Sequence, residues 1–519
     1  MKISILDCTL RDGGYVNNFN FGVGRINNIQ EKLCEANIEI IECGFLRSGK
    51  DDPGYSLYGY VEQIPLPKDR GNRMIVAMAA FGEISTDEIV PHQKGFIDGI
   101  RLSFHNDEWD ETRRNAQNLM DKGYKVFIQP VGTTSYSDEE LLALIKEVNS
   151  LKPYAFYMVD TLGSMYKNDL LRMFFLVEHN LNKEICLGFH SHNNMQLSFA
   201  NCMTLLELHT ERHIIIDASV FGMGRGAGNM NTELITHYVN CNIEKRYDLI
   251  PLLELIDDDI LPIYKYTSWG FSEPYYLSAI MGVHPNYASY LIDKQSVGMT
   301  KIAGMLEKLP EDNKHLFVKK EIDAIYHSEM SRHVEDAEAI KELSEKVRGR
   351  NVLVIAPGNS IHACSSSIQE YIESNRPFVI SLNFTPDNIT PDLTFVSNRK
   401  RFGQLQRSTT PIAVTSNISV DTSSDVYVID YDSLLRENSD FSGIMVLRLL
   451  IRLGVARVAL AGYDGFTGGI DHSSERLDSY LSPEAVASLN NSMIEQLSEI
   501  RNDLTLEFIT PSHYGDTEQ

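Results

Sequence analysis

The sequence predicts an α/β protein with a (β/α)₈ TIM barrel, a helical appendage and a C-terminal open α/β domain of Rossmann-like type. Three observations support this prediction. Strand-like and helix-like stretches alternate eight times in residues 1–245, a helical and acidic pattern fills residues 246–345, and a second strand–helix alternation occupies residues 346–519. These ranges are the predicted domains.

The barrel is predicted from eight short apolar runs rich in β-branched residues. They do not alternate cleanly between polar and apolar residues, which is typical of parallel strands covered on both faces. An open doubly wound sheet is the alternative, but no break in the pattern indicates a switch point. The predicted strands are Ile3–Asp7, Ile38–Cys43, Met74–Ala80, Gly99–Phe104, Val126–Val131, Ala155–Asp160, Ile185–Phe189 and Ile214–Val220.

The C-terminal domain is predicted from six further runs separated by helical segments such as Gly443–Leu453. Strands in regular alternation with helices indicate βαβ units and a parallel sheet. The predicted strands are Val352–Ala356, Phe378–Leu382, Leu393–Val396, Val426–Ile429, Val458–Ala461 and Leu506–Ile509.

The composition excludes several classes of partner. With 47 basic and 71 acidic residues, the net charge of −24 disfavours nucleic acid and anionic membrane surfaces. No signal-peptide pattern or long apolar run is present, so we expect a cytoplasmic protein. Seven cysteines without CxxC spacing indicate buried thiols. An anionic substrate must therefore meet a local arginine or a metal ion.

Polar residues cluster where the predicted barrel strands end, which is where TIM barrels carry their chemistry. Those considered for the site are Arg11, Asp12, Tyr15, Glu42, Arg101, His105, Ser164, His190, His192, Gly224, Gly226 and Asn229.

His190 and His192 are two residues apart on a strand, so both imidazoles can face one point. Asp12 follows the first strand, which closure of a barrel brings within ~10 Å of the seventh. Asn229 lies on the loop between them. One carboxylate, two imidazoles and an amide oxygen suit a six-coordinate divalent ion, with Mn²⁺ first and Mg²⁺, Co²⁺ or Zn²⁺ as options. The alternative is a pair of hydrogen-bonded barrel histidines.

These residues resemble the metal-dependent TIM-barrel lyases, which include 4-hydroxy-2-oxovalerate aldolase, hydroxymethylglutaryl-CoA lyase and isopropylmalate synthase. The resemblance covers about residues 1–300 and is closest to the 4-hydroxy-2-oxo-acid aldolases. It rests on three segments in family order: Asp7-Cys8-Thr9-Leu10-Arg11-Asp12-Gly13, Gly188-Phe189-His190-Ser191-His192-Asn193-Asn194, and Ile216-Asp217-Ala218-Ser219 with the glycine-rich loop Gly222–Asn229.

The resemblance implies that Asp12, His190 and His192 bind the metal, with Asn229 as a fourth ligand, and that Arg11 stabilises a pyruvate enolate. For Arg11, the alternative is a structural ion pair. The segment Tyr287-Ala288-Ser289-Tyr290 resembles the one that supplies an active-site tyrosine. The implied reaction cleaves a 4-hydroxy-2-oxo acid to pyruvate and an aldehyde, or forms it from them. No lysine ends the sixth predicted strand, which favours metal over imine chemistry.

One position departs from the family. Four residues after the arginine the related aldolases carry a histidine, whereas this chain carries Tyr15, a phenol with an ordinary pKa near ~10. The base could be Tyr15, Tyr287, His105 or metal-bound water, and we expect Tyr15 to act as an acid or an orienting group.

Other candidates have two interpretations each. Glu42 and Arg101 could bind substrate at the barrel mouth or form a structural pair inside it. Ser164 could position substrate or, like Asp160, cap a helix. The loop containing Gly224 and Gly226 could offer backbone amides to a substrate carboxylate or phosphate.

The C-terminal domain has neither a Walker lysine nor GxGxxG, which argues against a dehydrogenase that receives the aldehyde. Pro357-Gly358-Asn359-Ser360 could place a phosphate at a helix N-terminus. This turn weakly resembles those of nucleotide-sugar-handling domains from bacterial glycan pathways, and a docking or oligomerisation domain is the alternative. The resemblance also rests on Ser381-Leu382-Asn383, Ser397-Asn398-Arg399 and Ala461-Gly462-Tyr463-Asp464-Gly465.

The sequence thus predicts a carbon–carbon lyase that forms a homo-oligomer. A Claisen-type synthase or lyase that uses acyl-CoA is one alternative. The other is a non-catalytic barrel that scaffolds a nucleotide-sugar-binding domain.

Overall fold

The computed structural model describes residues 2–50, 52–294, 296–405, 410–420, 425–435, 440–467 and 483–515. The chain divides into two compact units. The first contains residues 1–285 and 314–316, and the second contains residues 286–313 and 317–519. The predicted division into three domains stays a prediction. No helix among these residues is long and apolar enough to cross a bilayer.

The first unit is a closed parallel barrel of eight strands, as predicted. The order β1-β9-β8-β7-β6-β5-β4-β2 is closed by pairing of β1 with β2, and the two-residue strand β3 adds to β2 outside the barrel. In chain order, the strands are Lys2–Asp7 (β1), Ile40–Leu46 (β2), Leu57–Tyr58 (β3), Met74–Ala80 (β4), Gly99–Phe104 (β5), Lys125–Pro130 (β6), Ala155–Asp160 (β7), Cys186–Ser191 (β8) and His213–Ala218 (β9).

Helices of this unit cover the barrel and bury the outward-facing residues of the strands. The helix Asp138–Leu151 illustrates how the sequence sets a boundary: the Ser137 hydroxyl accepts from Glu140 N at 3.2 Å, and the Glu140 carboxylate accepts from Ser137 N at 2.8 Å. The helices are Val23–Glu35 (α1), Trp109–Asp121 (α2), Asp138–Leu151 (α3), Lys167–Asn180 (α4), Ser198–Glu207 (α5), Thr232–Asn242 (α6), Ile250–Leu255 (α7), Leu261–Tyr264 (α8) and Glu273–Met281 (α9), with a π-helical turn at Ile256–Ile260.

The barrel interior is filled by side chains rather than open. Leu6, Phe127 and Tyr157 are among its fully buried residues. A Cβ atom at Gly188 would lie 2.2 Å from the Tyr157 ring, so this position must be glycine for the tyrosine to fit. The interior therefore forms a solid floor beneath the ends of the strands.

The second unit contains a parallel sheet in the order β14-β13-β12-β11-β10-β15-β16, which confirms the predicted open α/β fold. The strand order reverses between β10 and β15. Its strands are Val352–Ile355 (β10), Phe378–Leu382 (β11), Leu393–Val396 (β12), Ile412–Thr415 (β13), Val426–Ile429 (β14), Arg457–Ala461 (β15) and Thr505–Phe508 (β16). The remaining helices are Pro285–Asp293 (α10), Met299–Leu306 (α11), Lys319–Met330 (α12), Ala337–Val347 (α13), Ser360–Ala363 (α14), Ser365–Asn375 (α15), Arg399–Leu405 (α16), Ser442–Arg452 (α17) and Pro483–Ile500 (α18).

Two details correct the predictions. The strand Ile412–Thr415 was not predicted. It follows Pro411, and a run of four residues is too short to show the pattern of a strand. The prediction that the cysteines are buried is wrong for Cys241, which is exposed, and for Cys364, which is half-buried. Cys241 lies on the solvent-facing side of α6, so its apolar sequence neighbours do not cover it.

Candidate metal centre and active site

A buried group of three side chains lies at the carboxyl ends of β1 and β8. Asp12 follows β1 in a tight turn in which its backbone N–H donates to Cys8 O at 2.8 Å. His190 is on β8 and His192 is just beyond it. One potential ligand atom from each of the three lies within 4.8 Å of the others. The structure therefore brings together the three residues on which the metal prediction depends.

Hydrogen bonds fix the tautomer of both imidazoles. His190 Nδ1–H donates to Asp217 Oδ2 at 3.0 Å, because a carboxylate can only accept. His192 Nδ1–H donates to the carbonyl oxygen of Asp160 at 3.1 Å for the same reason. Each ring therefore keeps its Nε2 lone pair for another partner, which is the arrangement of histidines that bind metals.

The charge states also suit a cation. Burial opposes ionisation of Asp12, but the guanidinium charge of Arg11 holds the pKa of Asp12 well below its ordinary value. Burial lowers the pKa of His190 to about 4. At neutral pH Asp12 is therefore a carboxylate and His190 is a neutral imidazole, which are the protonation states that metal ligands need.

Asn229 lies beside the three side chains, and its contacts show whether the group fits a cation. Its Nδ2 donates to Asp12 Oδ2 at 2.6 Å, while its Oδ1 is buried without a hydrogen-bond partner among the described residues. A Cβ atom at Gly224 would lie 2.5 Å from Asn229 Nδ2 and 3.0 Å from Asp12 Oδ2. The absence of a side chain at Gly224 thus lets the loop pack directly against Asn229 and Asp12. A buried amide oxygen without a partner, next to a carboxylate and two imidazoles, fits a divalent ion.

A chain of buried ion pairs connects Asp12 to His190 from below. Arg11 donates through NH1 to Asp12 Oδ1 at 2.6 Å and through Nε to Glu42 Oε2 at 2.9 Å. Arg101 donates through NH1 to the same Glu42 oxygen at 2.6 Å, and through NH2 to Asp217. Asp217 in turn accepts from His190, so two of the three candidate ligands are held by one network.

Arg101 and Glu42 lie deeper than the predicted position at the barrel mouth. Both residues are fully buried, and the Arg101 guanidinium also lies 4.9 Å from the centre of the Tyr157 ring. Burial alone would raise the pKa of Asp217, but Arg101 and His190 keep it below its ordinary value. These contacts favour the structural interpretation of Glu42 and Arg101 that the sequence left open.

Tyr15 lies at the mouth of the site and is 43% exposed. Its ring packs edge-on against Phe19 and Phe45, with ring centres 5.2 and 6.0 Å apart. Partial burial of the hydroxyl raises the pKa of Tyr15, and Asp12 adds to this, while Arg225 opposes it. A protonated phenol agrees with an acid or orienting role rather than that of a base.

Three other predicted residues border the same region. Ser164 is in the turn after β7, where its backbone N–H donates to Asp160 Oδ1 at 3.0 Å, so Asp160 caps this turn. His105 follows β5, and its backbone N–H donates to Glu108 at 2.6 Å. Gly226 has a φ of +71°, and a Cβ there would lie 3.0 Å from Asn194 Oδ1.

Tyr287 is described in the second unit, where it is fully buried. Its hydroxyl donates to Asn313 O and accepts from Val318 N, each at 2.9 Å. Its predicted catalytic role therefore stays a prediction.

In the C-terminal domain, the turn proposed for phosphate is already bonded to a carboxylate. Asp464 accepts from the backbone N–H of Ser360 at 2.7 Å and from the Ser360 hydroxyl. A phosphate at this turn would have to displace Asp464. Nucleotide-sugar binding stays a prediction.

Sequence reasoning assigned no role to three residues of the site: Asp217, Arg225 and His284. Asp217 was detectable as a lone carboxylate in the apolar strand β9, since a buried charge is rare without a partner. Burial lowers the pKa of His284 to about 3, with Arg225, His192 and His105 contributing. No spacing in the sequence associates His284 with the distant strand ends.

Fold and site together define a TIM-barrel protein with a buried candidate metal centre. Residues 105–257 match the family model described as HMGL-like. The chain is 26% identical over 271 residues to 4-hydroxy-2-oxovalerate aldolase from Pseudoalteromonas translucida, covering 50% of this chain and 77% of that protein. It is 26% identical over 236 residues to oxaloacetate decarboxylase from Mycobacterium tuberculosis, covering 44% and 68%.

Among solved structures, the N-terminal domain of a presumed aldolase from Bacteroides vulgatus aligns with a TM-score of 0.49 at 25% identity, covering 56% of this chain and 96% of that one. The resemblance to the metal-dependent aldolases and lyases that the motifs predicted is confirmed. Members of that family with aldolase and lyase names are enzymes.

Proposed function

We propose that the barrel is a divalent-metal-dependent aldolase that cleaves or forms a 4-hydroxy-2-oxo acid through a pyruvate enolate. The observation that carries this proposal is the convergence of Asp12, His190 and His192, with both imidazoles donating from Nδ1 and so keeping the Nε2 lone pair for a metal ion. The proposed substrates are a 2-oxo acid and an aldehyde, and the proposed location is the cytoplasm.

A divalent ion bound by these three residues, with Asn229 beside them, would supply a Lewis acid for the 2-oxo group. Two imidazoles and a carboxylate favour Mn²⁺, with Mg²⁺, Co²⁺ and Zn²⁺ as alternatives. The network beneath the site holds these ligands in place, since Arg11 fixes Asp12 and Asp217 fixes His190.

Arg11 is proposed to stabilise the negative charge of the enolate. Its Nε and NH1 groups are used by Glu42 and Asp12, and no hydrogen bond of its NH2 group is found among the described residues. That group can therefore donate to an oxygen of the substrate. A guanidinium already fixed by two carboxylates needs little reorganisation as charge develops.

Tyr15 is proposed to donate or orient the proton at the 4-hydroxyl oxygen. In the cleavage direction the 4-hydroxyl proton passes to a base, for which His105 and a bound water are the candidates, and the C3–C4 bond breaks as the aldehyde leaves. The electron pair of that bond stays on the pyruvate enolate until C3 is protonated. Because the pKa of Tyr15 is raised, its hydroxyl can donate a hydrogen bond to the aldehyde oxygen but is a poor proton acceptor at neutral pH.

A second candidate is decarboxylation of oxaloacetate, favoured by the relative named oxaloacetate decarboxylase. Loss of carbon dioxide from that substrate also leaves a pyruvate enolate, so the same residues could serve both reactions. Measuring pyruvate release from oxaloacetate and from 4-hydroxy-2-oxovalerate with one enzyme preparation would separate the two.

The test of the proposed function is exchange of the pyruvate methyl hydrogens for deuterium, followed by mass spectrometry with and without Mn²⁺. We expect metal-dependent exchange in the wild type and its loss in Asp12→Asn and Arg11→Lys. Exchange that is independent of metal, or unchanged in Asp12→Asn, would contradict the proposal. A requirement for acyl-CoA would indicate Claisen-type chemistry instead.

A further inference from the structure

We propose that Arg225 binds a second acidic group of the substrate, so that the aldehyde-derived half carries a carboxylate or a phosphate. This inference rests on the proposed aldolase function and narrows its substrate class. Arg225 would then be the residue that selects dianionic 4-hydroxy-2-oxo acids over those with a neutral end.

The position of Arg225 follows from its neighbours in the glycine-rich loop. The preceding residue, Gly224, lies directly against Asp12 and Asn229, as the distances from a Cβ there show. The loop is anchored to the end of β8 by Asn193 N, which donates to Gly228 O at 2.8 Å. Arg225 therefore directly follows, in the chain, a residue that packs against two of the candidate metal ligands.

The side chain of Arg225 faces the mouth of the site. Its Cζ lies 5.7 Å from the centre of the Tyr15 ring. The Tyr15 ring packs against Phe45, and the Arg11 Cζ lies 6.0 Å from the Phe45 ring. The two aromatic rings thus lie between an inner arginine, which is buried, and Arg225, which is half-buried.

Arg225 differs from the other arginines of this region in its partners. Arg11 and Arg101 each bind two carboxylates, and Arg47 pairs with Glu83 at 2.5 Å. Among the described residues, no carboxylate forms an ion pair with Arg225, although the chain has a net charge of −24. A half-buried guanidinium without a counter-ion next to a substrate site indicates that the substrate supplies one.

The charges of the site lead to the same class of substrate. The buried network holds three carboxylates and two guanidinium groups, so it carries one negative charge. A divalent ion would convert this to one positive charge, which the carboxylate of a 2-oxo acid neutralises. The guanidinium of Arg225 adds one more positive charge, and a second acidic group on the substrate would neutralise it.

The geometry of a 4-hydroxy-2-oxo acid is compatible with this arrangement. Its carboxylate and 2-oxo group belong at the inner end with Arg11, and its C4 substituent then extends towards Tyr15 and Arg225. A methyl group there would leave the guanidinium without a counter-ion. A site built to bind a polar group of its substrate discriminates strongly against an analogue that lacks that group.

Binding is tested with two uncleavable five-carbon probes, 2-oxoglutarate and 2-oxovalerate, which differ only in a terminal carboxylate or methyl group. Isothermal titration calorimetry on the Mn²⁺-loaded enzyme should show about 10- to 100-fold tighter binding of 2-oxoglutarate. This preference should vanish in Arg225→Ala and be reduced in Arg225→Lys, which keeps the charge but not the planar fork. The control Arg172→Ala, an exposed arginine on α4, should retain the full preference.

Condensation with pyruvate identifies the acidic group. Comparing glyoxylate with acetaldehyde as the aldehyde substrate tests whether the acidic group is a carboxylate. Comparing glyceraldehyde 3-phosphate with glyceraldehyde tests whether it is a phosphate. We expect the ratio of kcat/KM within one of these pairs to favour the anion and to fall about 10- to 100-fold in Arg225→Ala.

Equal binding of the two probes by the wild type, or the same preference in Arg225→Ala, would overturn the inference. The pyruvate exchange assay distinguishes the two failures, because pyruvate has no distal group. If exchange occurs but neutral and anionic partners are used alike, only the role of Arg225 falls. If no exchange occurs, the proposed function falls and this inference falls with it.

Discussion

Asp217 Oδ2 accepts a hydrogen bond from Nδ1 of His190 at 3.0 Å and also accepts from the guanidinium of Arg101. A single carboxylate oxygen therefore sets the tautomer of a candidate metal ligand and is itself fixed by a buried arginine. Because Nδ1 of His190 carries the proton, Nε2 is unprotonated and its lone pair is available to a metal ion.

Replacing Asp217 with asparagine tests this relationship. The change removes the charge that orients His190, so the affinity for Mn²⁺ should fall about 10- to 100-fold. The free ion can be measured by electron paramagnetic resonance during a titration. Asp138→Asn, which alters an exposed carboxylate paired with Arg172, should leave the affinity unchanged. A folded Asp217→Asn protein with wild-type affinity would show that Asp217 does not position the ligand.

Gly224→Ala is expected to weaken metal binding by displacing Asn229 or Asp12. The new Cβ would lie 2.5 Å from Asn229 Nδ2 and 3.0 Å from Asp12 Oδ2, so one of these side chains must move. Gly24→Ala on α1 is the matched control, since no atom lies within 4 Å of a Cβ there. Equal Mn²⁺ occupancy in the two variants would contradict the packing argument.

Arg11→Lys should slow pyruvate exchange by about 100-fold or more while a bound metal is retained. Lysine keeps the positive charge but cannot donate to Asp12, Glu42 and an enolate oxygen in one plane. Exchange rates and metal content are measured on the same sample. A rate close to that of the wild type would make Arg11 a structural residue only.

His213 predicts a pH dependence of stability that is separate from the site. It lies at the start of β9, with its Nε2 at 2.9 Å from the Ser4 hydroxyl and its Nδ1 at 3.4 Å from Cys186 Sγ. Burial lowers the pKa of His213 to about 4 from an ordinary 6.5. Between these values the unfolded chain binds more protons, so stability falls as the pH drops from 6.5 to 4 and gains nothing above 6.5.

The matched variant is His213→Gln, which cannot take up the proton. Its free energy of unfolding, measured in urea at several pH values, should fall less steeply than that of the wild type between pH 6.5 and 4. The difference should be on the order of 1–3 kcal/mol, reduced by partial solvent exposure. Parallel curves for the two proteins would show that His213 is not held neutral by the fold.

Much of the barrel could be predicted because its strands are short runs of buried β-branched residues. Met74–Ala80, Gly99–Phe104 and Ala155–Asp160 have the predicted bounds. The convergence of Asp12 with His190 and His192 also follows from closure of the barrel. These features depend on the runs of apolar residues and on the order of the strands along the chain, and both can be read from the sequence.

The network beneath the site could not be predicted in the same way. Whether Arg101 points to the mouth or the floor depends on its depth along β5 and on the carboxylates that face it, Glu42 and Asp217. Those contacts join strands that are far apart in the chain. Likewise, the lack of a carboxylate partner for Arg225 is a property of packing, and no motif shows it.

The most direct test of the account is the metal content of the purified protein after chelation and reconstitution with Mn²⁺. The wild type should hold about one ion per chain, and Asp12→Ala and His192→Ala should each hold almost none while remaining folded. A wild-type protein that binds no ion, or a variant that keeps the full content, would contradict the claim that these side chains form a metal centre.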